Sequence, residues 1–367
     1  MKQLAGNDNR QTHRSARIWG LDALKALAIC MVVPLHTGLF NIDIIDNPSV
    51  QTYLQFAIRI ACEGVPIFFF VNGFLLLSDK PFDERKHCRR LKKVIVLLIV
   101  WSLILIISQA LVTGSPLTLN TVVQWMLETG PGSQFTGVLW FLQTLAALYI
   151  ITPLIYVALN NNLTVKYSFV VPLFLLAITI AALSYIISFL QAVLPDSWGM
   201  AIENARSWVF RLNPYNGIDA LVYFVCGGLV RQGLSIKAKD ARMGLITYGL
   251  LVIWSIALSL LRGKVSGMGI LSTVLGVPVI IGWFYLFMNP ITEIVGKKPI
   301  AKWITSLGSS TLGIYLLHMP IITLVAQIWH PADFLGRLIY TTGITLFCWL
   351  ITTGMMRNKY LRKIITI

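Results

Sequence analysis

The chain has 367 residues, of which 56% are hydrophobic and 12% charged, with a formal net charge of +15. A soluble domain carries about 25% charged residues, so this composition excludes that class and indicates a polytopic membrane protein. The positive excess fits either nucleic-acid binding or basic cytoplasmic loops, and its placement along the chain decides for the loops.

Residues 1–19 are polar and basic, without a short apolar core and small-residue cleavage site, and read as a cytoplasmic tail. Hydropathy then predicts ten spans, at 20–41, 53–78, 94–114, 138–159, 168–193, 219–232, 244–261, 269–288, 304–329 and 337–355. The sixth is short and broken by glycines (Val225-Cys-Gly-Gly228). Residues 194–218, with Trp198, Trp208, Phe210 and Tyr215, suit an interfacial helix. The expected fold is all-α: a transmembrane domain over 20–355 and a basic tail at 356–367. With the N-terminus inside, 23 Lys and Arg fall in inside segments and 5 outside, so both termini are expected in the cytoplasm. Nucleic acid is not an expected partner.

The five cysteines suggest no disulfide pair and no zinc spacing, and no metal is expected. No Gly-rich phosphate loop, Gly-x-Ser-x-Gly elbow or His-Glu-x-x-His helix occurs. The first span is apolar except for Asp22, Lys25 and His36. Ionisable groups at bilayer depth cost roughly 2.5–3.5 kcal/mol each on insertion scales. Lys25 and His36 lie close to three helical turns apart, so they share a face at about 16 Å separation, and Asp22 joins them.

Five blocks in order resemble the acyltransferase family 3 membrane proteins. Gly20-Leu-Asp-Ala-Leu-Lys-Ala-Leu-Ala28 followed by His36 resembles the family's opening signature of Arg or Lys, ten residues, then His. Gly64-Val-Pro-Ile-Phe-Phe-Phe-Val-Asn-Gly73-Phe is similar to its second-helix block, with Asn72 where Ser is usual. Arg89-Arg-Leu-Lys-Lys93, Leu139-Trp-Phe-Leu142 and Tyr315-Leu-Leu-His318 resemble its basic loop, its Trp-Phe-Leu helix start and its late block. Lys25 and Lys93 stand where arginines are expected, and Lys lacks the bidentate phosphate fork of Arg. Arg85 offers an alternative Arg-x-x-x-Arg spacing with Arg89. The resemblance implies transfer of an acyl group, usually acetyl from acetyl-CoA, to a hydroxyl of an envelope glycan or lipid-linked sugar at the bacterial inner membrane.

Within that frame each candidate residue has a plain reading and a chemical one. His36 is either a packing group or the base that deprotonates the acceptor hydroxyl. Glu63 either orients the His36 imidazole or pairs with Arg59 one turn away. Lys25 either pairs with Asp22 or neutralises part of acyl-CoA. The loop 79–93 holds seven Lys and Arg, as a positive-inside loop does. Arg89, Arg90 and Lys93 are also a natural cation cluster for CoA phosphates. His318, with Tyr315 one turn below, is expected at the depth of His36, as core packing or as a wall of the same cavity. Trp140 is an interfacial anchor or a sugar platform. Direct attack by a His36-activated hydroxyl and relay through an enzyme nucleophile both fit. The rival class is a proton-coupled transporter or flippase of an envelope precursor, with the charged stripe as relay. No inverted repeat supports it.

Overall fold

A computed structural model describes residues 18–40, 45–46, 49–61, 64–114, 116–120, 122–123, 136–213, 217–234, 237–262, 264–265, 273–288 and 299–367. Among them the fold is helical, apart from one antiparallel pairing of Ile45–Asp46 with Lys264–Val265. Among the described residues, seven helices are long and apolar enough to cross a membrane. The other three expected spans correspond to the short helices Val65–Leu76, Gly217–Arg231 and Val277–Phe287. At 1.5 Å per residue, helices of 11–15 residues fall short of a ~30 Å hydrocarbon core.

The helix α1 (Trp19–His36) is the inner element, with Leu24, Ala28, Ile29, Val32 and Val33 fully buried. The expected continuous span 53–78 is instead two helices, α2 (Val50–Ala61) and α3 (Val65–Leu76). Two local features account for the break. Pro66 has no backbone N–H and suits only the first turn of a helix. Gly64 abuts the Ala28 backbone so closely that a Cβ would overlap the Ala28 carbonyl. The amphipathic α2 buries Phe56 against Tyr248, Leu251, Val252 and Ile256 of α9 (Ala238–Arg262).

The helix α8 (Gly217–Arg231) runs unbroken through Gly227 and Gly228, contrary to the broken span expected there. The glycines are interface residues. A Cβ on Gly227 would strike the Phe70 carbonyl of α3, and one on Gly73 of α3 would strike the Phe224 carbonyl of α8. Two reciprocal contacts of this kind let helix backbones approach closely, the small-residue packing favoured in membranes. Gly308 of α11 (Ile300–Ala326) fits against the Asp22 backbone in the same way, and Gly20 of α1 against Phe287 of α10 (Val277–Phe287). Helices α1, α3, α8, α10 and α11 thus lock around one another.

Gly73→Val and Gly227→Val are each expected to destabilise the protein by roughly 1–3 kcal/mol or more, since neither backbone can yield. Thermal unfolding in detergent reads this as a lower midpoint. Gly249→Ala, whose added Cβ meets nothing within 4 Å, should leave the midpoint unchanged or raise it.

The outer layer contains α4 (Glu84–Thr113), α5 (Trp140–Asn160), α6 (Leu163–Val193) and α12 (Phe334–Arg357). Asp83 caps α4 by accepting from the Lys86 amide. A buried stripe of His87, Val94, Leu97, Trp101 and Leu105 then sets the rotation of α4. The expected interfacial helix is α7 (Gly199–Leu212), which lays Ile202 and Val209 against Ile180 and Ile187 of α6. After α12 the tail folds back on α4, where Trp101 Nε1 donates to the Ile364 carbonyl at 2.6 Å and Ile365 is buried.

Candidate functional site

Two cavities open at opposite ends of α1. The first, about 320 Å³, surrounds His36. It is walled by Val65, Pro66 and Phe69 of α3, Trp140 of α5, Asp219 and Tyr223 of α8, Tyr315 of α11 and Arg59 of α2. His36 is exposed to this space although the rest of its helix is largely buried. Its Nδ1 lies 3.0 Å from the Val32 carbonyl. A carbonyl only accepts, so Nδ1 carries the proton and Nε2 keeps a lone pair. The ring is therefore held in the tautomer a base requires.

His318 is in direct contact with His36. The ring centroids are 4.9 Å apart, edge to face. The equal depth expected of the two residues is what the fold produces, but His318 does not line the cavity. It is fully buried behind His36, and its Nδ1 donates to the Tyr315 carbonyl at 2.5 Å. Its Nε2 has no hydrogen-bond partner among the described residues. Tyr315 in turn donates its hydroxyl to the Val138 carbonyl at 2.5 Å, tying α11 to the turn before α5. Trp140 and Tyr315 both line the cavity. Glu63 lies outside the described residues, and its expected partner Arg59 lines the cavity.

The second cavity, about 680 Å³, lies at the Trp19 end of α1. Its walls carry Lys25, Lys80, Lys86, Arg90 and Arg231, with Asp22 as the acidic member. Lys25 Nζ pairs with Asp22 Oδ1 at 2.8 Å, so the local ion pair and the cavity position hold together. Asp22 belongs to this basic cavity and not to the one around His36. Phe74 forms an aromatic wall, and the Arg231 guanidinium lies 5.2 Å from its ring centroid. The loop bearing Lys80 is held by Tyr156, whose hydroxyl donates to the Lys80 carbonyl at 2.8 Å.

Of the expected cation cluster only Arg90 joins Lys25. Arg89 is exposed and its Nε donates to the Arg85 carbonyl. Lys93 turns toward the C-terminal tail, with Nζ 3.5 Å from Thr366 Oγ1. The reason is helix phase. His87 Nε2 donates to the Tyr149 carbonyl at 2.9 Å and is buried between Phe82 and Tyr149. That anchor turns Arg90 toward the cavity and Arg89, the next residue, away from it; Lys93 shares a face with Lys86 but lies about two turns further along α4, beside the C-terminal tail.

A family model for an acyltransferase domain matches residues 18–353, nearly the whole chain. The protein belongs to acyltransferase family 3. No curated protein and no solved structure gives a match.

In this membrane acyltransferase, sequence reasoning overlooked Asp219 and Tyr223 at the His36 cavity, and Lys80, Lys86 and Arg231 at the basic one. Asp219 carried a usable signal, because an ionisable group inside an apolar segment is a functional candidate by default. It is buried and accepts from Asn213 Nδ2 at 2.5 Å and from the Val274 amide at 2.7 Å. For Arg90 the signal was the apolar stripe 94, 97, 101 and 105; continued backward, it turns 87 and 90 inward. Arg231 had no signal beyond its charge.

Proposed function

We propose that this acyltransferase carries an acyl group, acetyl in the first instance, from cytosolic acyl-CoA to a hydroxyl of an envelope glycan or lipid-linked saccharide. In this reading both termini are cytoplasmic, the basic cavity faces the cytosol and the His36 cavity faces the acceptor. One observation carries it: a single helix joins a cation-lined cavity to an imidazole-lined one, with Lys25 and His36 about 16 Å apart along the axis. Lys25, Lys80, Lys86, Arg90 and Arg231 suit the phosphates of coenzyme A, and the extended pantetheine arm suits the distance to His36.

The chemistry follows from the His36 tautomer. Nε2 removes the proton of the acceptor hydroxyl as its oxygen attacks the thioester carbonyl. The tetrahedral intermediate collapses with loss of the CoA thiolate, and the imidazolium returns the proton to sulfur. His318, edge-on behind His36, keeps the ring from turning away and is a positioning residue.

Purified protein in nanodiscs, given acetyl-CoA labelled in the acetyl group and lipid-linked saccharides from its source membrane, should produce labelled saccharide and free CoA in equal amounts. Movement of the saccharide across the bilayer without any labelling would remove this reading in favour of a transporter.

A further inference from the structure

We infer that a smaller cavity beside the His36 site, lined by α6, α7 and α8, is a saccharide subsite that holds a neighbouring sugar of the acceptor while its reacting hydroxyl lies at His36. The inference rests on the acyl-transfer reading above for the direction of the acceptor. It rests on the cavity itself for the class of ligand.

The cavity measures about 230 Å³. Drug-sized ligand sites begin near 300 Å³, so the space suits one sugar ring and is too small for a nucleotide. Asp219 lines both this cavity and the one around His36. A ligand that spans the two passes this carboxylate. It already accepts from Asn213, from the Val274 amide and from its own backbone. A carboxylate accepts at about four lone-pair sites, so it retains capacity for a ligand hydroxyl.

The remaining walls match a polyol. Ser184 and Ser188 donate their hydroxyl protons to the carbonyls of Ile180 and Ser184 within α6. Their oxygens are left as acceptors facing a ligand rich in O–H donors. Arg206 stands at the half-exposed mouth, engaged by Glu203 and Gln191. A guanidinium has five N–H groups in all, so it can donate to a ring or hydroxyl oxygen as well. Phe210 supplies an aromatic face for the apolar side of a sugar ring. A lipid tail would leave the buried Asp219 carboxylate facing hydrocarbon, and an anionic ligand would be repelled by it.

The test uses the full-length protein in nanodiscs, acetyl-CoA, and lipid-linked saccharides extracted from the source membrane, either whole or trimmed to one sugar. The double variant Ser184→Leu, Ser188→Leu fills the cavity. Arg206→Gln, at an exposed mouth, changes the subsite without touching the core. Filling the cavity should raise KM for the whole acceptor at least about tenfold, the scale of one or two lost hydrogen bonds. It should leave kcat, and KM for the trimmed acceptor, within about twofold. Arg206→Gln should act in the same direction by about threefold, and it decides the matter if the double variant does not fold. Equal KM values for whole acceptor in wild type and variants overturn the subsite. Native mass spectrometry of the same saccharides separates this inference from the transfer reading. Saccharide bound by wild type and lost on filling the cavity supports the subsite even where acetyl-CoA is not the donor. Unchanged binding, or phospholipid in place of saccharide, overturns it even where transfer proceeds.

Discussion

His36→Gln should lower kcat for acyl transfer by roughly 10²–10⁴-fold, the usual contribution of a positioned general base, with little change in donor affinity. The expectation comes from three features that converge on one atom. The Val32 carbonyl takes the Nδ1 proton and leaves Nε2 basic. The ring is exposed to a cavity of about 320 Å³, whereas most of α1 is buried. His318 packs edge-on at 4.9 Å and limits the rotamers open to the ring. Glutamine keeps a polar group of similar length but cannot accept the hydroxyl proton. Single-turnover transfer at saturating acetyl-CoA and acceptor measures the chemical step, and CoA binding by calorimetry controls for misfolding. A variant that transfers at the wild-type rate would remove His36 from the chemistry. His318→Asn should cost less in kcat and leave both KM values near wild type, because it positions the base and touches no substrate.

Arg90→Ala combined with Arg231→Ala should weaken CoA binding by about 10- to 100-fold. A hydrogen bond to a charged group is worth roughly 1.5–3 kcal/mol. The upper end is discounted because Arg231 is exposed and Arg90 only partly buried, so that solvent screens both. Arg89→Ala combined with Lys93→Ala, both on α4, removes the same formal charge and serves as the comparison. Neither residue lines the basic cavity, so CoA affinity should fall by no more than about threefold. Titration calorimetry at two salt concentrations distinguishes the pairs, since wild-type affinity should drop with added salt more steeply than that of the Arg90/Arg231 variant. Equal losses from the two pairs would mean that the net charge of the loop, and not the cavity, attracts the donor.

Sequence stops being informative at the basic end of α4. Arg89 and Arg90 are adjacent cations there, and a one-dimensional reading groups both with Lys93 through their likeness to a family motif. Which of them faces α1 depends on how the helix is rotated about its axis. The buried contact of His87 with α5 sets that rotation. The break between α2 and α3 is an intermediate case. Gly64 and Pro66 are visible in the sequence, but an apolar run masks them, and the close approach of Gly64 to Ala28 exists only once α1 is packed.

The sequence by itself determined the solvent, the all-helical class and the family. It also determined the polar stripe on the first helix, because the cost of ionisable groups in hydrocarbon and the helical repeat are local properties of the chain. The tertiary structure alone decided that His318 lies against His36, 282 positions away in the chain, and that Asp219 stands between two cavities. It also decided that five cations from α1, α4, α8 and a loop share one space. Those placements follow from glycine contacts that fix how closely the helices approach and from buried anchors that fix their rotation. Both are properties of helix pairs and are carried by no single segment.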